Sequence, residues 1–219
     1  MSLGSVLDRV EAAAARAGRS TSEITVVVVS KGRSAAEIEA VYRRGHRDFA
    51  ENRAQELVAK RSELAADVSA GIRWHFVGPL QSNKVRLVRP AVTLLHSLDR
   101  ESLAPAWLKG PGLAPPALLQ VNVGGEPQKH GVDPDLVVDT CGRLIALGVD
   151  LRGLMTIPPV PERPDDARPH FARLRRLRDG VMAEYPSVRE LSMGMTDDFE
   201  VAVEEGATLI RPGRAIFGT

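Results

Sequence analysis

The run Ile24-Thr25-Val26-Val27-Val28-Val29 constrains the fold of this chain more than any other feature. Six consecutive β-branched residues favour an extended backbone. Apolar side chains at five of the six positions, rather than at every second one, describe a strand covered on both faces. Such strands belong to parallel sheets whose crossover helices cover them. Residues 117–123 repeat the pattern and are nearly all apolar.

Helical patterns alternate with strands along the rest of the chain. Residues 3–17 are Ala-rich, with Leu3, Val6, Leu7 and Val10 on one face and Gly18 as a C-cap. Ser34 and Glu37 have the capping-box spacing ahead of Ile38 and Val41, and Gly45 ends that helix. Further helices are predicted over 54–66, from Asp133-Pro134 to Gly148, on the face Phe171, Leu174, Leu177 and Val181, and over 197–205. Short strands are predicted at 48–50, 73–77, 93–96, 151–157, 190–192 and 207–210. Strand–helix alternation of this kind implies parallel pairing, and eight units suggest a closed (β/α)8 TIM barrel. The 219 residues then form a single domain, 1–219, with an extra N-terminal helix. An open doubly wound sheet is the structural alternative.

Composition narrows the function classes. The net charge is +1, so no global field favours nucleic acid or an anionic membrane. The only cysteine, Cys141, allows no internal disulfide and no cysteine metal site, and it reads as a small core residue of a protein in a reducing compartment. The 5 histidines show no close ligand spacing, so no metal is assigned. Residues 1–10 lack a signal-peptide pattern, and no apolar stretch approaches the roughly 20 residues of a membrane span. A soluble, cytoplasmic protein is expected.

In such a barrel the active site lies at the C-terminal ends of the strands. The polar residues just past each apolar run are Ser30, Lys31, Glu51, Asn52, His75, His96, Asn122, Met155 with Thr156, Ser192 and Arg211. Strand alternation places Val27, Val29 and Lys31 on one face. If that face is the barrel interior, Lys31 sits desolvated above an apolar plug, which favours the neutral amine that Schiff-base formation requires. The same position also suits a lysine that ends a strand and reaches solvent. Arg211-Pro212-Gly213-Arg214 and Ser192-Met193-Gly194-Met195-Thr196 follow the last two strands, where barrels often bind phosphate. One lysine and two glycine loops fit one ligand, an aldehyde carrying a phosphate. His75 reads as a satisfied core or rim residue, and Asn52 as either a ligand contact or a helix cap. His96 is expected to bond Asp99 within a loop. Lys84 and Lys129 read as solvated, with anion binding open to Lys84, and Arg173, Arg175, Arg176 and Arg178 as a solvated helix face.

With these residues in view, the chain resembles the pyridoxal 5′-phosphate (PLP) homeostasis protein family, also called the YggS/PROSC family. The matching stretches include Val29-Ser30-Lys31, Glu51-Asn52-Arg53-Ala54-Gln55-Glu56, residues 74–84 from Trp74-His75-Phe76 to Lys84, Gln120-Val121-Asn122-Val123, residues 151–156, 191–199 and 215–218. The resemblance implies the fold-type III barrel of the alanine racemase N-terminal domain, with PLP held as a Schiff base on Lys31. It implies that Arg211 faces the pyridine nitrogen. Ser192, Gly194, Gly213 and the backbone N–H of Arg214 would hold the phosphate, and Asn52, His75 and Met155 would line the ring pocket. This chain departs from the family's pattern at Gly32-Arg33-Ser34, at Ala50 and at Arg214, which stands where a small hydroxyl residue is usual. Binding is expected to survive through the backbone, with Arg214 a candidate charge-assisted donor.

The function implied is non-catalytic: storage, protection or delivery of PLP, with PLP-dependent apo-enzymes as candidate recipients. An arginine opposite the pyridine nitrogen yields no proton to the ring, which weakens it as an electron sink. An amino-acid racemase is the alternative. It needs a second base, a tyrosine from a C-terminal domain, which is not expected because the sequence ends at Thr219; Tyr42 and Tyr185 fall on helices. A monomer is expected on the same ground. A Schiff-base aldolase ranks third, because its lysine belongs on a middle strand.

Overall fold

A computed structural model of the chain describes residues 2–126 and 130–218; Lys129 lies outside them. Nine strand segments follow in order: β1 (Thr25–Val26), β2 (Val28–Val29), β3 (Asp48–Glu51), β4 (Arg73–Phe76), β5 (Leu94–Leu98), β6 (Ala117–Gln120), β7 (Leu151–Met155), β8 (Glu190–Ser192) and β9 (Leu209–Ile210). All neighbouring pairs are parallel, in the order β1-β9-β8-β7-β6-β5-β4-β3-β2. β1 and β2 are halves of one extended segment, the β-branched run. Its first half pairs with β9 and its second with β3, so the sheet closes on itself. The seam is continuous: Val27 N–H donates to Ile210 C=O at 2.8 Å, Val29 N–H to Pro212 C=O at 2.9 Å, and Ser30 N–H to Ala50 C=O at 3.0 Å. Eight strand positions thus form the expected (β/α)8 barrel.

Closure sorts each strand into an inner and an outer face. Val27, Ala50, Leu118, Met155 and Leu209 pack together with Val29, Val77 and Leu94 as the inner plug. Val26, Val28, Phe49, Trp74, Phe76 and Leu191 face outward into the larger core under the helices. Those helices are α1 (Leu3–Arg16), α2 (Ala35–Tyr42), α3 (Ala54–Glu63), α4 (Ala66–Gly71), α5 (Val85–Val88), α6 (Ala104–Leu108), α7 (Val137–Ala146), α8 (Arg168–Glu184), α9 (Phe199–Glu204) and α10 (Arg214–Phe217). The capping box at Ser34 and Glu37 is formed, and Gly45 and Gly148 take the positive φ that ends their helices.

Several boundaries differ from the sequence reading. α1 buries Leu3, Val6, Val10, Ala13 and Ala14 against α9 and α10, but Leu7 lies outside this stripe and is exposed. The helix predicted over 54–66 ends at Glu63, because Leu64 turns extended to bury its side chain, and a separate helix, α4, follows. The short helices α5, α6 and α10 carry too few turns to show a periodicity. Cys141 is buried, and burial pushes its thiol up to about 12. Among the described residues, no helix is long and apolar enough to cross a membrane.

Gly153 lets β7 and β8 approach: a Cβ there would stand 2.1 Å from the Glu190 carbonyl oxygen. Gly153→Ala should therefore cost about 2–4 kcal/mol by forcing the two strands apart. Urea unfolding followed by circular dichroism checks this, and a midpoint equal to the parent's would contradict it.

Candidate functional site

The inner-face pattern continues past the strand ends and carries the polar residues with it. On the register of Val27 and Val29 the next position is Lys31, and on that of Asp48 and Ala50 it is Asn52. His75, Met155, Ser192, Gly194, Arg211 and Gly213 hold the same parity on β4, β7, β8 and β9. Arg214 is the one expected site residue off this register.

Lys31 occupies the second position of a β-turn in which Arg33 N–H donates to Ser30 C=O at 3.0 Å. Gly32 supplies the φ of +71° at the third position, as a type II turn requires. The turn is held from behind by a buried cluster on the outer face of β3. Lys60 Nζ donates to the Ser30 carbonyl at 2.8 Å and to Glu51 Oε1 at 2.6 Å, and Ser30 Oγ donates to the same carboxylate at 2.6 Å. Glu56 accepts from Gly32 N–H at 3.1 Å. Burial pushes the Glu51 carboxyl up, against the opposing bonds from Lys60 and Ser30. The expected desolvation of Lys31 is not found: its side chain is exposed, because the turn lifts it above the apolar plug.

The Gly213 loop lies against the strand that leads into this turn, and the Gly194 loop lies against the Gly213 loop. Pro212 C=O accepts from Val29 N–H, and a Cβ on Gly213 would stand 2.8 Å from the Val29 carbonyl oxygen, two residues from Lys31. Arg211 N–H donates to Gly194 C=O at 2.8 Å, which joins the loops to one another. Gly194 takes φ +91°, and a Cβ there would meet that of Ala202 at 2.5 Å. The N–H groups of Gly213 and Ala215 converge on Thr196 Oγ1, each at 3.4 Å. Long contacts to a single oxygen leave this pair of donors suited to an anion oxygen.

Arg211 is buried, with Nη1 donating to Ser192 Oγ at 2.6 Å and Nη2 to the Thr156 carbonyl at 2.7 Å. Burial, opposed by the charge of Asp198, pulls its guanidinium down to about 10. Met155 is fully buried in the plug beneath. Asn52 Oδ1 is buried without a hydrogen-bond partner, an orphaned acceptor at the mouth. Asn52 also lines a cleft of about 820 Å³ with Phe76, Lys84, Arg100 and His130.

Other expected residues lie elsewhere. His96 does not bond Asp99; it points into the barrel, on the register of Leu94, and meets His75 and Ser192. Asp99 instead pairs with Arg100 and His130. Asn122 Nδ2 donates to the Glu126 carbonyl and so braces its own loop. Arg214 does not reach toward the mouth: its Nη2 pairs with Asp197 Oδ2 at 2.8 Å on the surface. The α8 arginines are only partly a solvated face, since Arg173 donates to the Val123 carbonyl and Arg175 pairs with Glu205. Sequence reasoning missed Lys60 and singled out no role for Thr196. Lys60 did carry a signal, a lysine on the apolar stripe of Ala54 and Leu57.

The profile of the family described as "Alanine racemase, N-terminal domain" matches residues 1–219. The pyridoxal phosphate homeostasis protein of Aquifex aeolicus is 42% identical, covering 99% of this chain and 96% of that protein. This chain belongs to the pyridoxal phosphate homeostasis protein family. The family member of Escherichia coli K12 is 38% identical over 99% of this chain and 94% of its own. Among solved structures, PipY of Synechococcus elongatus with PLP bound superposes at TM-score 0.79 with 34% identity, covering 96% of this chain and 100% of that one. Alanine racemase from Corynebacterium glutamicum, at 13% identity and TM-score 0.69, shares the fold over 98% of this chain and 61% of its own.

Breaking the buried pair behind the turn has a definite expected effect. Lys60→Met leaves the Glu51 carboxylate buried and unpaired, at a cost of about 3–5 kcal/mol near neutral pH. A buried carboxyl is raised above its unfolded value, so the deficit shrinks as pH falls and Glu51 takes up a proton. Urea unfolding at two pH values checks both, and a deficit that grows toward acid would contradict the assignment.

Proposed function

We propose that this chain binds pyridoxal 5′-phosphate at the barrel mouth as a non-catalytic carrier. The observation that carries the reading is the adjacency of the Lys31 turn and the Gly213 loop, an amine beside an anion cradle on neighbouring strands. The residues fit the group: convergent N–H donors at Gly213 and Ala215, glycines where a Cβ would collide, and the unpaired acceptor of Asn52. When bound, the cofactor supplies an aldehyde that a lysine amine captures as a Schiff base with release of water.

Each residue has a separable task. The Gly213 and Ala215 N–H groups hold the phosphate, with Gly194 keeping the neighbouring loop close. Lys31 presents its amine from a turn whose backbone is clamped by Lys60, Glu51 and Glu56. Asn52 hydrogen-bonds the ligand, and Met155 forms the apolar floor. Arg211, held by Ser192 and Thr156, remains a cation near neutral pH and so yields no proton to the ring there, which disfavours carbanion chemistry. An exposed lysine suits exchange as much as retention, which supports storage and delivery to apo-enzymes over turnover. PipY, a homologue of this chain, has been solved with PLP bound.

Lys31→Ala should weaken PLP binding at least about a hundredfold, about 2.7 kcal/mol, in an absorbance titration, and no L- or D-amino acid should be racemised by the parent protein. Equal affinity in the variant, or racemisation that depends on Lys31, would overturn the reading. Arg214→Ala should change affinity by less than about threefold, because its side chain belongs to a surface pair. Gly213→Ala should weaken binding more than that.

A further inference from the structure

A basic recess in the outer helix layer shares no residue with the barrel mouth. It has a volume of about 450 Å³ and lies where α3, α4 and α5 meet. Arg61, Arg86 and two serines line it with apolar residues, and no acidic residue does. Arg61 is half-buried and Arg86 is exposed. Neither guanidinium makes a hydrogen bond, an ion pair or a ring contact with any described residue, a state that only Arg44 and Arg176 share among the arginines. Two unpaired arginines in one recess, in a chain that partners nearly all the others, mark a place for a negative charge that the described residues do not supply.

Arg61 carries the sharper signal. Its Nε is buried and has no hydrogen-bond partner. An unmet buried donor on a cation costs stability, and folded proteins leave few of them. The main chain beside it is prepared for an anion. The last turn of a helix presents carbonyl oxygens, which repel negative charge. Here Ser62 Oγ donates to the Ala59 carbonyl at 2.7 Å, and Ser69 Oγ, from α4, donates to the Arg61 carbonyl at 3.0 Å. These bonds engage both oxygens and hold the main chain from which the Arg61 side chain extends. They also use the two hydroxyl protons, so the arginines are the donors left for a ligand.

We propose that this recess is a second ligand site, which takes a phosphate monoester carried on a small apolar body. Two guanidiniums and no carboxylate match a dianion, the form a phosphate monoester takes above its second pKa of about 6. The planar fork of arginine meets phosphate oxygens in pairs. Val58, Leu87, Pro90 and Ala91 form the apolar wall against which the rest of the molecule lies. Val58 is 41% exposed and gains a cover there. The volume suits a small organic ligand better than a bare ion. The site stands apart from the barrel mouth and does not depend on what binds there.

The test uses the full chain labelled with 15N-arginine and side-chain 1H–15N spectra at about pH 7 and constant ionic strength, where the monoester is a dianion. The probes are phenyl phosphate and sulfate, a dianion of similar shape without the apolar body. Arg61→Gln and Arg86→Gln assign the two Nε–H signals, and Arg86 is exposed, so its variant retains the fold. Phenyl phosphate should move both signals along one saturation curve, with an affinity about tenfold above that of sulfate. In Arg86→Gln, half-saturation of the Arg61 signal should need at least about fivefold more phenyl phosphate. An Arg61 signal that stays in place, or two signals that follow different curves, would overturn the site. An equal response to sodium chloride would reduce it to screening and overturn it as well. Equal affinity for the two probes would contradict the apolar wall, and an unchanged Arg61 curve in Arg86→Gln would contradict the shared grip.

Discussion

The main chain of residues 25–30 hydrogen-bonds to both edges of the sheet, to β9 on one side and β3 on the other. A parallel sheet has edges to hide, and this one hides them by joining them. The join fixes the register. A slip of one residue would exchange the inner and outer faces, placing Val26 and Val28 in the barrel and Val27 outside it. The same seam brings the Gly213 loop against the strand that leads to Lys31. Barrel closure and the approach of the Gly213 loop to the strand that leads to Lys31 are therefore one event.

The interior shows how few polar groups a small barrel holds and how fully it must satisfy them. Buried hydrogen-bonding groups are tolerated when each has a partner. His75, His96, Ser192 and Arg211 meet that condition only as a connected set, from Asp48 upward. The Lys60–Glu51 pair does similar work outside the barrel, where it fastens the turn that carries Lys31. Both arrangements set the position of a mouth residue from a distance, through hydrogen bonds rather than apolar packing.

Much of the fold was legible because its signals are local. A β-branched run, a capping box at Ser34 and Glu37, and glycines at 45 and 148 each act within a few residues. The candidate site was legible through alternation: Lys31, Asn52, Ser192, Arg211 and Gly213 share the parity of the apolar residues before them. What escaped depends on contacts distant in sequence. His96 finds Ser192, 96 positions away, only when β5 and β8 face each other across the barrel. Lys31 was expected among apolar neighbours, but the glycine turn after Ser30 lifts it clear. The Arg214 side chain was a candidate donor to the phosphate, but it lies off the inner register, with Asp197 as a partner at the surface.

In the proposed function, one amine beside the Gly213 loop captures the cofactor. Reduction of the PLP-loaded protein with borohydride, followed by peptide mass mapping, identifies that amine. The added mass is expected on the peptide that contains Lys31. Label carried instead by Lys60, Lys84 or Lys109, or scattered among them, would contradict it.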